Sequence, residues 1–176
     1  MTVRLSRDEL QNIYRSIINN PSLVGPVAVS AGTPEYLKWV VEASGEKNTV
    51  FLVGPGSKAG LCYSIAELGG VESVCVDYTY LPLRDESISV LLFAFVFNAA
   101  RDIKAMLSEA RRVLKEKGVL IAGDWAPQSR IAPAIKEGFQ LNLNEFKVYF
   151  SKYFRVVELR IYKDYFIVVG INEQPE

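Results

Sequence analysis

The residues best suited to chemistry in this 176-residue chain are a glycine turn and an acidic residue downstream of it. The apolar run 49–53 ends at Gly54-Pro55-Gly56, and Asp77 follows the next apolar run. A glycine-rich turn after a strand lets backbone N–H groups approach a ligand, and ligands of open α/β sheets lie beyond the carboxyl ends of the strands. A carboxylate about 20 residues further on suits the hydroxyl groups of a ribose. The pattern therefore indicates a nucleotide-binding corner.

Two known glycine motifs can be compared with this turn. A phosphate-binding Walker loop has a lysine directly after its last glycine, whereas Lys58 precedes Gly60 here. The dinucleotide pattern G-x-G-x-x-G/A is formally met by Gly54, Gly56 and Ala59. A lone match of that kind is weak, so a nicotinamide nucleotide is only one option for the ligand.

The composition excludes several other kinds of function. The 20 basic residues balance the 20 acidic residues, so no net field attracts a nucleic acid partner. The absence of histidine removes the commonest general base and most catalytic zinc sites, and we predict no metal site. Cys62 and Cys75 lie among apolar neighbours without metal-ligand spacing and are interpreted as buried thiols. We find no signal sequence and no apolar stretch of membrane length, so we expect a cytoplasmic protein without a membrane partner.

Hydrophobic periodicity divides the chain into alternating strands and helices. Apolar residues at helical spacing predict helices over residues 7–19, 34–44 and 102–115. Near-continuous apolar runs, typical of strands buried on both faces, cover residues 49–53, 73–76, 88–97 and 119–122. Runs rich in Val, Ile, Tyr and Phe at 155–162 and 165–171, joined at Lys163-Asp164, predict an antiparallel hairpin.

These elements predict one α/β domain over residues 1–176, with a Rossmann-like, mostly parallel sheet, an antiparallel C-terminal hairpin and helices on both faces. We expect N-terminal helices, a ligand-binding core, a cover segment over the strand ends and the hairpin, at residues 1–48, 49–124, 125–153 and 154–172 respectively. The aromatic residues are expected to pack in the core, namely Phe93, Phe95, Phe97, Tyr149, Phe150, Tyr153 and Phe154.

Four segments between residues 49 and 170 carry a resemblance to a known family: VFLVGPGSKAG, VCVDYTYLPLRDESISVLLFAFVFN, MLSEARRVLKEKGVLIAGDW and YFSKYFRVVELRIYKDYFIVVG. The most specific phrases are Leu81-Pro82-Leu83 followed by Asp85-Glu86-Ser87, and residues 109–118. In their order and wording these segments resemble class I S-adenosylmethionine-dependent methyltransferases. The resemblance is closest to the type 11 group, which includes quinone-biosynthesis methyltransferases.

The resemblance implies that S-adenosylmethionine is the cofactor, and it implies which residues hold it. The turn Gly54-Pro55-Gly56 would pass under the methionine and ribose portions. Asp77 would hold the ribose hydroxyls, and Tyr78 would lie near the adenine. Ala94 and Phe95, after the middle strand, would face the cofactor.

Departures from the family pattern leave the strand count open. Leu52 stands where the family prefers an acidic residue, and Lys58 stands where it has a third glycine. Only three residues separate Asp77 from Leu81, which leaves no room for the usual helix and third strand. Either that unit is deleted and Asp77 ends the second strand, or Asp77 belongs to the third-strand phrase and the ribose acid is absent.

Methyl transfer to a small-molecule acceptor is the leading hypothesis for the function. Alignment and desolvation alone can supply about 7 to 11 kcal/mol of catalysis, so a site without histidine is no objection. If the acceptor must lose a proton, the candidate catalytic residues are Asp124 and Asn98, of which only Asp124 is a carboxylate.

Two other functions remain open. The departures at Leu52 and Lys58 also suit a catalytically inactive protein of the same fold that acts as a binding or partner subunit. The formal dinucleotide pattern suits a nicotinamide-nucleotide-binding protein. A homodimer through an uncovered sheet edge is a further option, because deleting a strand and helix would leave one edge bare.

Overall fold

The computed structural model describes the backbone of residue 12 and of residues 27–31, 49–53, 72–75, 78–94, 96–97, 102–126, 142–162 and 165–173. These residues contain seven strands in one sheet: β1 (Val27–Ala31), β2 (Thr49–Val53), β3 (Glu72–Cys75), β4 (Ile88–Ala94), β5 (Leu114–Trp125), β6 (Arg155–Ile161) and β7 (Tyr165–Ile171). Two helices are described, α1 (Ile103–Val113) and α2 (Leu143–Tyr153).

The sheet is mostly parallel, as predicted. Its strand order is β3-β2-β1-β4-β5-β7-β6, and the first five strands along this order pair in parallel. Strand β7 is antiparallel to both β5 and β6, so the predicted C-terminal hairpin is confirmed. Both faces of the central strands are buried, because Leu91 and Phe93 alternate with Val90 and Leu92 along β4 and all four are shielded from solvent.

Strand β1 was not predicted, and it corrects the expectation that residues 1–48 supply only helices. It lies between β2 and β4, so the strand before Gly54 is the second strand of the sheet and not the first. The run Val27–Ala31 has only five residues and includes a serine, which weakens its hydrophobic signal. The apolar VAV between Pro26 and Gly32 was the signal that could have revealed it.

The same strand order resolves the two alternatives for Asp77. Strand β3 is the third strand, it occupies the sheet edge beside β2, and residue 77 follows it in the sequence. The alternative in which a strand and helix are deleted is therefore wrong, and the bare edge inferred from such a deletion falls with it. Of the predicted helices 7–19 and 34–44, only residue 12, which is helical, lies within the described residues.

Helix α1 and strand β5 follow one another more closely than the sequence predicts. The helix begins after Asp102, whose carboxylate accepts a hydrogen bond from the backbone N–H of Ala105 at 3.0 Å, and it ends at Val113 instead of residue 115. Strand β5 begins at Leu114, which pairs with Ile88, and regular pairing with β4 resumes at Val119. The extra residues form a bulge in which Lys117 has a φ of 61°.

A distant side chain fixes this bulge. The amide nitrogen of Asn172 donates to the carbonyl oxygens of Arg111, Leu114 and Lys115 at 3.2, 2.9 and 3.2 Å. Its backbone N–H donates to the carbonyl of Gly118 at 2.8 Å, and its carbonyl accepts from Lys117 at 2.7 Å. The last carbonyls of a helix have no partner within the helix, and Asn172 supplies one for Arg111 of α1 and for Leu114 and Lys115 at the start of β5. We call this contact the Asn172 cap.

Helices α1 and α2 cover one face of the sheet with an aromatic core. Ring centroids of Phe93 and Phe97 lie 5.7 Å apart, and those of Phe97 and Phe146 lie 4.9 Å apart. A Cβ at Gly170 would meet the Phe150 ring at 2.5 Å, so α2 requires glycine at this position in β7. The predicted core role of Phe93, Phe97, Phe150 and Phe154 is confirmed, since all four are buried.

Candidate functional site

The sheet has one topological switch point, between β1 and β4. From β1 the chain proceeds to β2 and β3 on one side, and from β4 to β5 on the other, so the connections diverge from this pair. The two strands are parallel and end at the same level, where Ala31 pairs with Ala94. Crevices outside the carboxyl ends of strands at such a point are where open α/β sheets bind ligands.

Tyr78 lies close to this point, three residues after the end of β3. Its side chain is 5% exposed, and its ring meets the Phe93 ring edge-on at a centroid distance of 5.7 Å. Phe93 directly precedes Ala94, at which β4 ends. Tyr78 therefore joins the segment after β3 to the end of β4, whereas Tyr80, two residues later, is 73% exposed.

Arg112 on α1 holds the segment 78–87. Its guanidinium donates to the carbonyl oxygens of Leu81 and Leu83 at 2.8 and 2.9 Å, and to the carboxylate of Asp85 at 2.6 Å. It also forms a two-pronged ion pair with Glu109, with both distances 2.9 Å. Glu109 in turn accepts a hydrogen bond from the backbone N–H of Leu81 at 2.8 Å. We call this set of contacts the Arg112 clamp.

The clamp joins the two phrases that were most specific in the sequence, 81–87 and 109–118. Its charges reinforce one another: the hydrogen bond from Arg112 lowers the pKa of Glu109, and the hydrogen bonds from Arg112 to Glu109 and Asp85 raise the pKa of Arg112. The backbone contributes as well, because the N–H groups of Glu86 and Ser87 donate to the carbonyls of Arg112 and Val113, both at 2.9 Å. The segment that carries Tyr78 is therefore fixed to α1 by side-chain and main-chain contacts.

Asp124 lies at the carboxyl end of β5, the strand next to β4. Gly123 pairs with Ala94, so Asp124 lies one residue beyond the level at which β4 ends. Its side chain is completely buried, and one carboxylate oxygen accepts a hydrogen bond from the backbone N–H of Trp125 at 2.7 Å. By strand alternation it shares a face with Ala122, which belongs to the aromatic core.

Three of the predicted site residues lie near the carboxyl end of β4. Ala94 is the last residue of that strand, Asp124 lies one residue beyond Gly123, which pairs with Ala94, and the ring of Tyr78 contacts that of Phe93. The remaining predicted site residues lie outside the described residues: Gly54, Pro55, Gly56, Asp77, Phe95 and Asn98. Their roles stay predictions.

The strand order also reveals a position that the sequence analysis missed. The first strand ends with Ala31 at the switch point, and Gly32 follows it in the sequence. A search for a strand among the short apolar runs before residue 49 would have identified this glycine as a candidate.

Two other kinds of site were sought among the described residues. Within the ranges that the structure describes, no group of three or more His, Cys, Asp or Glu side chains is arranged to hold a metal ion. The helices described there include none that is long and apolar enough to cross a membrane.

Comparison with known proteins identifies the family. The sequence model of a family described as "Methyltransferase domain", type 11, matches residues 32–122, just over half of the chain, and the match begins at the residue that follows β1 in the sequence. A search of curated proteins found no match.

Solved structures with the same fold cover nearly the whole chain. A SAM-dependent methyltransferase from Aquifex aeolicus is 19% identical with a TM-score of 0.72, and the match covers 96% of this chain and 100% of that one. A putative type 11 methyltransferase from Sulfolobus solfataricus is 21% identical with a TM-score of 0.70, with coverages of 96% and 92%. A putative methyltransferase from Haloferax volcanii, in complex with the Trm112 methyltransferase activator, is 14% identical with a TM-score of 0.69, with coverages of 94% and 90%. The chain belongs to the type 11 family of S-adenosylmethionine-dependent methyltransferases, and S-adenosylmethionine is the cofactor that this membership implies.

Proposed function

We propose that this protein transfers the methyl group of S-adenosylmethionine to a small-molecule acceptor. The observation that supports this most directly is the meeting of three features at the carboxyl end of β4. These are the switch point beside β1, the ring of Tyr78 and the buried carboxylate of Asp124. A small acceptor is favoured because the charges of the chain balance, 20 against 20, which gives no field for a polyanionic substrate.

The residues at the switch point fit an adenosyl ligand. Both central strands end in alanine, and Gly32 follows Ala31 in the sequence, so the residue types at these two strand ends are small. When bound, the cofactor supplies a methyl group on a sulfonium, which an acceptor atom can displace in line. The residues that follow β1 and β2 in the sequence, Gly32 and Gly54-Pro55-Gly56, would hold its methionine and ribose portions, and Ala94 and Phe95 would also face it.

The strand count refines the role proposed for Asp77. Neighbouring strands lie about 4.8 Å apart, so a residue that follows β3 is one strand further from the switch point than a residue that follows β2. A ribose acid belongs at the end of the second strand. We therefore propose that Asp77, which follows β3 in the sequence, accepts a hydrogen bond from the adenine and not from the ribose.

Asp124 and Asn98 are proposed to act on the acceptor. Asp124 lies one residue beyond the level at which β4 ends, and its carboxylate would accept a proton from an acceptor hydroxyl or amine. Asn98 has no basic group, so its amide would orient the acceptor through hydrogen bonds.

A second candidate function is a binding subunit without turnover. It is favoured by one observation: the turn after β2, where a ribose acid belongs, reads Gly54-Pro55-Gly56 and contains no carboxylate. A fold neighbour, the putative methyltransferase from Haloferax volcanii, was solved in complex with an activator protein. The two candidates differ in whether a methyl group leaves the cofactor.

Isothermal titration followed by a turnover assay separates the candidates. We expect micromolar binding of S-adenosylmethionine and S-adenosylhomocysteine and no binding of NADH. Radiolabelled methyl transfer to a panel of phenols, amines and carboxylic acids would then identify the acceptor class. Failure to bind either adenosyl ligand would overturn the proposal, and binding without transfer to any acceptor would favour the second candidate.

An Asp124→Asn variant tests the proposed base. The change keeps the shape of the side chain and an oxygen for the Trp125 N–H, but it removes the proton acceptor. We expect kcat to fall by about 10²- to 10⁴-fold while the affinity for S-adenosylhomocysteine is unchanged. An unaltered kcat would show that Asp124 only closes the strand.

A further inference from the structure

Strand β6 leaves one side of its backbone without a partner in the part of the chain that the structure describes. It is the last strand of the sheet, and it pairs only with β7. The N–H of Tyr162 donates to the carbonyl of Tyr165 at 2.8 Å, so Tyr162 directs its backbone groups towards β7. Because this direction alternates along an antiparallel strand, Leu159 and Ile161 direct theirs away from β7.

The sequence of β6 is self-complementary about Leu159. Residues 157–161 read Val-Glu-Leu-Arg-Ile, so a two-fold axis through Leu159 places each residue opposite one of matching character. Glu158 then lies opposite Arg160 of a second copy, and Val157 lies opposite Ile161 of that copy. The axis also brings the two Leu159 residues opposite each other. The outward N–H of each would then donate to the outward C=O of the other, which is the arrangement of a hydrogen-bonded antiparallel pair.

The side chains on this edge suit such a pairing. Val157 and Ile161 are 46% and 52% exposed, which is high for aliphatic residues of a strand, and Leu159 between them packs partly on the core. By alternation these three lie on one face, with Glu158 and Arg160 on the other. A paired strand would cover the aliphatic residues against their counterparts.

Charges usually protect an edge strand from such pairing, but the charges on β6 favour it. Like charges that meet across two strands are repulsive, whereas here the signs on the two sides of Leu159 are opposite. Glu158 and Arg160 already form an ion pair within the strand. In a pair of strands, each carboxylate would lie between two guanidinium groups. The one irregularity, a shift in the pairing with β7 between Val156 and Glu158, falls at the end of the paired stretch.

We propose that the protein forms a homodimer in which two β6 strands pair antiparallel about Leu159, so that the two sheets become continuous. The interface lies three strands away from β4, so it leaves the switch point open. The dimer is therefore independent of whether the protein transfers methyl groups.

Charge reversal provides a sharp test by sedimentation velocity. The wild-type protein is expected to show a concentration-dependent dimer. Glu158→Arg and Arg160→Glu should each place like charges opposite one another and weaken the dimer by about tenfold or more. An equimolar mixture of the two variants should form a heterodimer, because each positive pair then faces a negative pair. An ion pair between residues 158 and 160 of the same strand cannot produce this recovery.

Two controls make the result decisive. Glu116→Arg makes the same charge change at an exposed residue outside β6 and should dimerise like the wild type. Circular dichroism should show that each variant is folded. The proposal is overturned if the wild type stays monomeric at its solubility limit, if either single variant dimerises as strongly as the wild type, or if the mixture fails to associate.

Discussion

Helix α1 is held at its C-terminal end by two contacts that differ in nature. The Arg112 clamp uses charged groups near the surface: the side chain of Arg112 is 31% exposed and that of Asp85 is 76% exposed. The Asn172 cap uses a single neutral amide that is 8% exposed. The helix leaves the carbonyls of its last residues, 111–113, unpaired. The amide of Asn172 donates to the first of them, and the backbone N–H groups of Glu86 and Ser87 donate to the other two.

The two contacts also differ in what they hold: the clamp holds a segment near the candidate site, and the cap holds a part of the sheet away from it. The clamp fixes the segment of Tyr78, which contacts the end of β4, whereas the cap fixes the bulge that begins β5. Charged contacts near the surface respond to pH and salt, and a buried amide does not. We therefore expect the two contacts to respond differently to the same perturbations.

The largest effect is expected from Asn172→Asp. The change is nearly isosteric, but it replaces the N–H donor with an oxygen facing the carbonyls of Arg111, Leu114 and Lys115. We expect a loss of about 2 to 3 kcal/mol in the free energy of unfolding, measured by urea denaturation at pH 7. Asn144→Asp makes the same change at an exposed position and should shift stability by less than about 0.5 kcal/mol. Equal effects at the two positions would show that the cap contributes nothing specific.

An intermediate effect is expected from Arg112→Lys. A lysine keeps the charge but cannot serve two backbone carbonyls and two carboxylates at once, so we expect a loss of about 1 to 2 kcal/mol. Arg111→Lys, one residue earlier on the same helix, is the matched control. Because the clamp holds the Tyr78 segment, Arg112→Lys should also weaken S-adenosylhomocysteine binding more than Asn172→Asp does. If Asn172→Asp weakened S-adenosylhomocysteine binding more than Arg112→Lys, the clamp would not be the contact that serves the site.

Acid should weaken the clamp and leave the cap unaffected. The hydrogen bond from Arg112 lowers the pKa of Glu109 below its ordinary value. The stabilisation is therefore present above the ordinary, unfolded-state pKa of a glutamate and is lost as the pH falls through the lower, folded-state pKa. Since the pair is near the surface, the loss should be below about 1 kcal/mol. Glu109→Gln should remove this part of the acid dependence, and an unchanged acid limb in that variant would contradict the assignment.

Local patterns were sufficient to predict much of the fold. The C-terminal hairpin and helix α1 were predicted because each carries a complete periodic signal, with Asp102 placed to begin the helix. Strand β1 was missed because five residues give too short a signal, and this error displaced the count of every later strand. The end of α1 was placed too late because Asn172, which ends it, lies 58 residues from Leu114 along the chain.

The candidate site was less predictable, because its residues come from separate strands. Asp124 was found from its position at a strand end and Tyr78 from the family resemblance, but their placement relative to β4 depends on the register of the sheet. The position of Gly32, directly after β1 in the sequence, gained significance only when β1 was placed beside β4. The phrases at 81–87 and 109–118 gave no indication in the sequence that one arginine connects them.

The smallest effect is expected from Asp85→Asn, which tests how far the clamp depends on its most exposed charge. Asp85 meets only one nitrogen of Arg112, at 2.6 Å, while the guanidinium keeps Glu109 and the carbonyls of Leu81 and Leu83. Exposed ion pairs contribute about 0.2 to 1 kcal/mol, and salt screens them, so the loss should lie at the lower end of that range and vanish in 1 M NaCl. Thermal unfolding at low and high salt would measure it. A loss as large as that of Arg112→Lys, insensitive to salt, would mean that the clamp acts as one cooperative charge network, because a single solvent-exposed pair cannot supply that much energy.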